Sequence, residues 1–156
     1  MRALLFRIIY FFVFFGTSTI AGMLIPFLQY KGFDPIQTGS LISLFTLSGL
    51  VGLFSIGYFC DKLKTIKKVL FPSLIITTIT GAIAILFNKG IVFYIGFFLM
   101  GLFNSMLGPL CDSWIMESSN DIKSRFGQLR AFGSVGWAFG VLIVGFVISN
   151  LGYKYV

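Results

Sequence analysis

The sequence predicts an all-α membrane protein with five helices that cross the bilayer. Of its 156 residues, 57% are hydrophobic and only 11% are charged, and the mean hydropathy is +0.96. A soluble domain carries about 25% charged residues, because its surface must face water. Most of the charged residues here lie in short loops between five apolar runs, each near the ~20 residues needed to cross ~30 Å of hydrocarbon. The composition therefore excludes a soluble globular domain.

The first helix is predicted over residues 4–30. Arg2 and Arg7 give the chain the basic start of a signal peptide. However, no charge appears from Ile8 to Tyr30, and this run is longer than the apolar region of about 7–15 residues in a signal peptide. We therefore expect a transmembrane helix that is retained. The small and polar residues between Gly16 and Gly22 belong on a helix-packing or cavity face.

Four further helices are predicted over residues 36–60, 67–87, 91–114 and 127–152. A turn-rich loop around Pro35 separates the first helix from the second, and a loop with four lysines separates the second from the third. The second helix has four glycines that permit close contact with other helices: Gly39, Gly49, Gly52 and Gly57.

The basic residues fall unevenly on the two sides of the membrane. If the N-terminus is cytoplasmic, the inside loops hold eight of them: Arg2, Arg7, Lys62, Lys64, Lys67, Lys68, Lys123 and Arg125. The outside loops then hold three: Lys31, Lys89 and Lys154. This asymmetry satisfies the positive-inside rule. We expect an integral protein of the bacterial inner (plasma) membrane with its N-terminus in the cytoplasm.

Several functional classes are disfavoured by what the sequence lacks. The net charge of +7 comes from basic residues in short loops, a placement that fits the lipid bilayer better than nucleic acid. Histidine is absent, and Cys60 and Cys111 alone provide neither a metal site nor an expected disulfide. Two acids near one interface, Asp112 and Glu117, are too few to define a reaction. We expect no enzyme, no cofactor and no nucleic-acid partner.

Two stripes of polar and small residues interrupt the apolar pattern. Residues three, four and seven apart share one face of a helix. The helix over 127–152 has one such stripe, formed by Arg130, Gly133, Ser134 and Trp137, with Gly136 and Gly140 near its edge. The preceding helix has another, formed by Asn104, Gly108 and Asp112. Charges within the membrane cost ~2.5–3.5 kcal/mol on insertion scales and are usually kept for a function. We therefore predict a polar pocket between these two helices.

Each of these residues also has an ordinary structural interpretation. Arg130 would extend to the headgroups from the first turn of its helix, as other positive-inside residues do. Asp112 would lie at the cytoplasmic interface, and Trp137 would pack against another helix. An ion pair between Asp112 and Arg130 favours the pocket instead, since opposite charges within ~4–6 Å stabilise each other's ionised form.

Three motifs together resemble a known family. The fifth predicted helix opens with Phe126-Gly127-x-x-Arg130-x-Phe132-Gly133-x-Val135-Gly136-Trp137. The fourth ends with Gly108-Pro109-x-x-Asp112, and the loop between the second and third helices reads Gly57-x-x-x-Asp61-Lys62-Leu63, followed by Lys67. The first pattern resembles the start of helix five in the lactose-permease-like branch of the major facilitator superfamily, and phenylpropionate permeases and nucleoside–proton symporters carry similar patterns. Asp112 stands where sugar permeases have a membrane-embedded glutamate. The loop resembles the signature of the superfamily between helices two and three.

The resemblance implies a fold and a set of site residues. The chain would supply five helices of a six-helix N-terminal half in a twelve-helix fold, and a C-terminal half would be missing. Asp112 and Arg130 would be the paired substrate-binding charges, and Trp137 an aromatic platform. Asn104 and Ser134, which share their stripes, complete the predicted substrate site. The gating loop would include Gly57, Asp61, Lys62 and Lys67.

The expected function is secondary active transport by alternating access. The substrate would be a sugar, a nucleoside or a small aromatic acid, taken up together with protons. Departures from the sugar permeases leave the substrate open: Asp112 is one methylene shorter than glutamate, Lys64 replaces a glycine, Ile66 takes a position that is usually basic, and Gln128 replaces a second arginine. The alternative is a truncated or scaffold-type membrane protein without transport activity of its own. An open reading frame that continues with seven more apolar runs would favour the transporter.

Overall fold

The fold is a set of long apolar α-helices joined by short turns. The structure is a computed structural model that describes residues 2–87 and 90–152, with residues 2, 3 and 151 described by their backbone. Its helices are α1 (Arg2–Gly22), α2 (Leu24–Tyr30), α3 (Pro35–Leu63), α4 (Lys67–Leu86), α5 (Ile91–Met116), α6 (Asn120–Ser124) and α7 (Phe126–Leu151). Within the described residues, five of them are long and apolar enough to span a membrane: α1, α3, α4, α5 and α7. The predicted all-α membrane fold is confirmed.

The helix expected over residues 4–30 is divided at Met23. The backbone there has φ −111° and ψ 10°, so α1 ends at Gly22 and α2 begins at Leu24. Pro26 explains the break, because proline has no N–H to donate to the carbonyl four residues earlier. The next residue, Phe27, donates its N–H to the Met23 carbonyl at 3.0 Å, which starts the hydrogen-bond ladder of α2.

The start of α3 is fixed by its own sequence. The Asp34 carboxylate accepts a hydrogen bond from the Gln37 N–H at 2.7 Å, and the Gln37 side-chain oxygen accepts one from the Asp34 N–H at 3.3 Å. Pro35 occupies the first turn, where its missing N–H is no loss. This capping box orients α3 at the end of the loop that precedes it. The helix then runs to Leu63, three residues beyond the predicted end.

The chain divides into two compact units, and the first consists of Met1–Gly32 with Ile115–Val156. In this unit α1 and α7 run parallel and touch through glycines. A Cβ at Gly136 would overlap the carbonyl of Phe11, and one at Gly140 would overlap the Ser18 hydroxyl. Such contacts let two backbones approach closely, as is common between membrane helices.

The second unit is Phe33–Trp114, in which α3 and α5 run parallel and α4 runs antiparallel to α5. A Cβ at Gly52 would overlap the carbonyl of Leu102, and one at Gly49 would overlap the Ser105 hydroxyl. Of the four glycines expected to permit close packing in α3, only these two do so among the described residues. A Cβ at Gly39 or Gly57 would meet no atom within 4 Å.

Buried hydroxyls in α4 are satisfied by their own helix. Ser73 donates to the Val69 carbonyl at 2.7 Å, and Thr77 donates to the Ser73 carbonyl at 2.7 Å. These bonds to the preceding turn allow small polar side chains to lie buried in an apolar unit without a loss of hydrogen bonding.

Candidate functional site

The predicted polar stripe of α7 lies on one exposed face. Arg130, Ser134 and Trp137 follow the spacing i, i+4, i+7, and all three are exposed. The adjoining face is buried and consists of Leu129, Gly133, Gly136, Gly140 and Val144. The polar face and the buried face therefore lie side by side on the same helix.

Gly133 belongs to the buried face and not, as expected, to the stripe of Arg130. A Cβ at Gly133 would lie 3.0 Å from the ring of Phe14 and 3.2 Å from the ring of Tyr10. These rings of α1 cover the glycine, because a residue without a side chain leaves room for them. Helical spacing alone places Gly133 in the stripe of Arg130, but its contacts with Phe14 and Tyr10 place it on the buried face.

The Arg130 guanidinium is positioned by an aromatic ring of its own helix. Its central carbon lies 5.8 Å from the centroid of the Phe126 ring, four residues earlier. A guanidinium over a ring within about 6 Å gains a cation–π interaction. The side chain remains exposed in this arrangement.

Trp137 presents a large ring at the surface of its unit. The side chain is 38% exposed, although tryptophan is usually largely buried. No described residue accepts a hydrogen bond from its indole N–H. An indole has an apolar face for stacking and one donor for a polar group. The exposed part of this ring and its donor are open to a ligand within the described part of the chain. These properties fit a platform for a ligand.

The second predicted stripe is on α5. Asn104, Gly108 and Asp112 are half-buried and share a face. Asn104 and Asp112 are about 12 Å apart along the helix axis, at ~1.5 Å per residue. The Asn104 side-chain oxygen is buried and has no hydrogen-bond partner among the described residues. A buried polar atom in this state costs about 1–3 kcal/mol, so this oxygen is a position where a ligand donor would be favoured.

Asp112 and Arg130 belong to different units of the chain. Asp112 lies in Phe33–Trp114, and Arg130 lies in the segment Ile115–Val156 of the other unit. Each side chain is therefore described within its own unit, and the ion pair between them stays a prediction.

The predicted gating loop is a short turn between α3 and α4. Gly57, Asp61 and Lys62 lie in the last two turns of α3, and Lys67 is the first residue of α4. Lys64 lies between the two helices in the left-handed region, with φ 51° and ψ 23°. Glycine adopts this conformation without steric cost, which gives a physical reason for the glycine that the resembling family usually has at this position.

One contact of the gating loop escaped the sequence analysis. The Lys67 ammonium lies 5.2 Å from the ring centroid of Trp114, near the end of α5. In the sequence, Trp114 has the position of an interfacial aromatic residue, and no motif around it indicates a function. The contact joins residues far apart in the chain, so no local pattern predicts it.

Arg7, one of the basic residues on the predicted cytoplasmic side, lies inside α1 and within the candidate span Leu4–Gly22. Its contacts are set by packing and have no local signal in the sequence. Its guanidinium carbon is 5.2 Å from the Phe132 ring centroid, and its Nε is buried without a hydrogen-bond partner among the described residues. Phe132 lies across α7 from the face of Arg130, since two residues along a helix turn by about 200°. Arg7 therefore packs on the other side of α7.

The fold and these polar faces define an integral membrane protein built from spanning helices. A family model described as the Major Facilitator Superfamily matches residues 7–156, and the chain belongs to that superfamily. Its members are membrane transporters, so the chain is grouped with transporters and not with enzymes.

Two curated relatives are similar over most of the chain. A maltose permease of Geobacillus stearothermophilus is 22% identical over 156 residues, which are 99% of this chain and 40% of the relative. An uncharacterized transporter, YwbF, of Bacillus subtilis (strain 168) is 27% identical over 146 residues, which are 91% of this chain and 36% of the relative. The chain thus spans about two fifths of the length of these relatives. No solved structure matches the chain significantly.

Proposed function

We propose that the chain is part of a secondary active transporter, a proton-coupled symporter that works by alternating access. The observation that carries this proposal is the exposed face of α7, where Arg130, Ser134 and Trp137 lie beside a face closed by α1. A cation, a hydroxyl and an indole aligned on a spanning helix provide a binding face in an apolar body. Polar and ionisable residues at membrane depth are expensive and usually mark a substrate or ion pathway.

In the proposed site, Asp112 and Arg130 act as a pair. The Arg130 guanidinium offers N–H donors in a planar fork, and the Asp112 carboxylate accepts hydrogen bonds only. A pair of this kind binds a ligand that carries both donors and acceptors, such as the hydroxyls of a sugar. Before the ligand arrives, the two charges would stabilise each other's ionised form.

A sugar is the first of three proposed substrate classes. The maltose permease relative supports this order. The unpartnered side-chain oxygen of Asn104 would accept a hydrogen bond from a sugar hydroxyl, and the Trp137 ring would stack on the apolar face of the sugar. A nucleoside or a small aromatic acid would use the same ring, with a base or an aromatic ring in place of the sugar.

The proposed energy source is the proton gradient. A co-transported proton that moves down the membrane potential releases about 2.3 kcal/mol per 100 mV. We place the protein in the bacterial inner membrane with its N-terminus in the cytoplasm, as the positive-inside rule favours. The gating loop, with Gly57, Asp61, Lys62 and Lys67, would then face the cytoplasm and take part in the change between the two openings.

Uptake by the full-length protein tests this proposal. A panel of labelled sugars, nucleosides and aromatic acids is offered to right-side-out and everted vesicles, with and without a proton gradient. We expect Arg130→Ala and Asp112→Ala each to lower uptake by about 100-fold, because each change removes one partner of the proposed ion pair and the ligand loses its contacts. Arg125→Ala is the matched control, since Arg125 is exposed and pairs with Asp121 at 3.1 Å. Full uptake by both site variants would overturn the site.

A further inference from the structure

The turn between α3 and α4 carries a dense positive charge at the end of two apolar spans. Its lysines are all exposed, and we call them together the basic turn: Lys62, Lys64, Lys67 and Lys68. One acid, Asp61, accompanies them, so the four lysines leave three positive charges in excess. Asp61 makes no hydrogen bond or ion pair within the described part of the chain, so the excess is not reduced by an internal pair.

Two aromatic rings contact lysines of the basic turn. The Lys62 ammonium lies 5.6 Å from the Tyr58 ring centroid, and the Lys67 ammonium lies 5.2 Å from the Trp114 ring centroid. Tyrosine and tryptophan in spanning helices concentrate at the level of the lipid headgroups. An ammonium held against such a ring is therefore at headgroup level as well.

The geometry of the turn keeps the lysines at this level. Only Lys64, Thr65 and Ile66 separate the last residue of α3 from the first residue of α4. Ile66 is buried, with 3% of its surface exposed, so the turn is anchored to its unit. The exposed lysines therefore extend from a short, anchored turn.

We propose that the basic turn binds the phosphate headgroups of anionic phospholipids in the bilayer that surrounds the protein. Each lysine near a membrane surface increases the affinity for anionic lipid by about fivefold, so four of them favour such lipids strongly over zwitterionic ones. The aromatic rings of Tyr58 and Trp114 hold two of the ammonium groups at the depth of the phosphates. This proposal does not depend on the transport activity proposed above.

Trp114 provides a reporter at the site itself. The chain has two tryptophans, Trp114 and Trp137, so Trp137→Phe leaves the ring next to Lys67 as the only indole. The full chain with this substitution is reconstituted into phosphatidylcholine vesicles. These contain the same small fraction of either brominated phosphatidylglycerol or brominated phosphatidylcholine, whose bromines quench a nearby indole. We expect stronger quenching by the brominated phosphatidylglycerol, and we expect the excess to fall as salt screens the charges.

Two variants of the basic turn separate charge from structure. Replacing the four lysines by glutamine should abolish the excess quenching, whereas replacing them by arginine should retain it because the charge is kept. Quenching by brominated phosphatidylcholine should be equal in both, which shows that Trp114 has kept its depth. A third variant, Lys123→Gln with Arg125→Gln, removes exposed charges outside the basic turn and should retain the excess.

Three results would overturn the proposal. The first is equal quenching by the two brominated lipids. The second is an excess that survives the four glutamine substitutions, since the lipid would then be held elsewhere. The third is an excess that disappears equally when Lys123 and Arg125 are replaced, since net charge and not the basic turn would then attract the lipid. None of these results depends on uptake of a substrate, so this proposal and the proposed function fail separately.

Discussion

Gly136 of α7 lies so close to α1 that a Cβ at this position would overlap the carbonyl of Phe11. The contact joins two backbones and leaves no flexible side chain that could move aside. A methyl group can be accommodated only if the helices separate or rotate.

Gly136→Ala should lower the free energy of unfolding by about 1–3 kcal/mol, the usual cost of inserting atoms into a packed interface. Thermal unfolding in detergent, followed by circular dichroism, measures this change. Gly127→Ala is the matched control on the same helix, because a Cβ there would meet no atom within 4 Å. The control should be neutral or more stable by up to about 1 kcal/mol, since alanine forms helix better than glycine. Equal stability of the two variants would contradict the close contact.

Trp137 should act through its ring. Trp137→Phe keeps an aromatic face and should raise the KM for uptake by the full-length protein only a few-fold, while Trp137→Ala should raise it by about tenfold or more. The ring is exposed in its unit, so neither change should lower thermal stability by more than about 1 kcal/mol. A large loss of stability in Trp137→Ala with an unchanged KM would identify Trp137 as a packing residue.

Asn104 should matter to the ligand more than to the fold. Its buried side-chain oxygen has no partner among the described residues, so replacing it by leucine removes an unsatisfied polar group and should change stability by less than about 1 kcal/mol. The same substitution should weaken substrate binding by about tenfold, the effect of one lost hydrogen bond. Isothermal titration of the full-length protein measures the affinity. Unchanged affinity in Asn104→Leu would remove this residue from the site.

Lys64 should be replaceable by glycine with a gain in stability. Its left-handed backbone, with φ 51°, costs an L-residue about 1–2 kcal/mol that glycine does not lose. We expect Lys64→Gly to raise the free energy of unfolding by about 1 kcal/mol. Lys68→Gly is the matched control, because it makes the same chemical change inside α4, where glycine weakens a helix. Changes of the same sign in both variants would contradict this explanation.

The sequence predicts much of the fold because apolar runs and turn residues are local signals. The five spans follow from length and hydropathy. The capping box of Asp34 and Gln37 is also a local signal, and it starts α3 at Pro35, one residue before the predicted start. The apolar run predicts one continuous helix over residues 4–30, and hydropathy alone does not show the break at Met23. Pro26 lacks the N–H that would bond to the carbonyl four residues earlier. The interruption therefore falls before the proline, at Met23, and α2 begins at Leu24.

The candidate site is less predictable because it depends on partners distant in the sequence. Helical spacing places Arg130, Ser134 and Trp137 on one face, and in the structure all three lie on one exposed face of α7. The same spacing cannot decide whether Gly133 joins that face, because the answer lies in the rings of α1. The contact between Lys67 and Trp114 is likewise set by the packing of α4 on α5.

The buried face of α7 also determines how the helix is rotated about its own axis. Contact with α1 fixes the rotation of α7 about its own axis, so the direction in which residue 130 points is set by its distance in sequence from Gly133 and Gly136. Inserting one residue between Arg130 and Gly133 would turn the guanidinium by about 100° relative to that contact. Exchanging the side chains at 130, 134 and 137 would leave the phase unchanged. The side chains of this face can therefore diversify by substitution without a change in the direction they point, whereas an insertion or deletion between them and the glycines would change that direction.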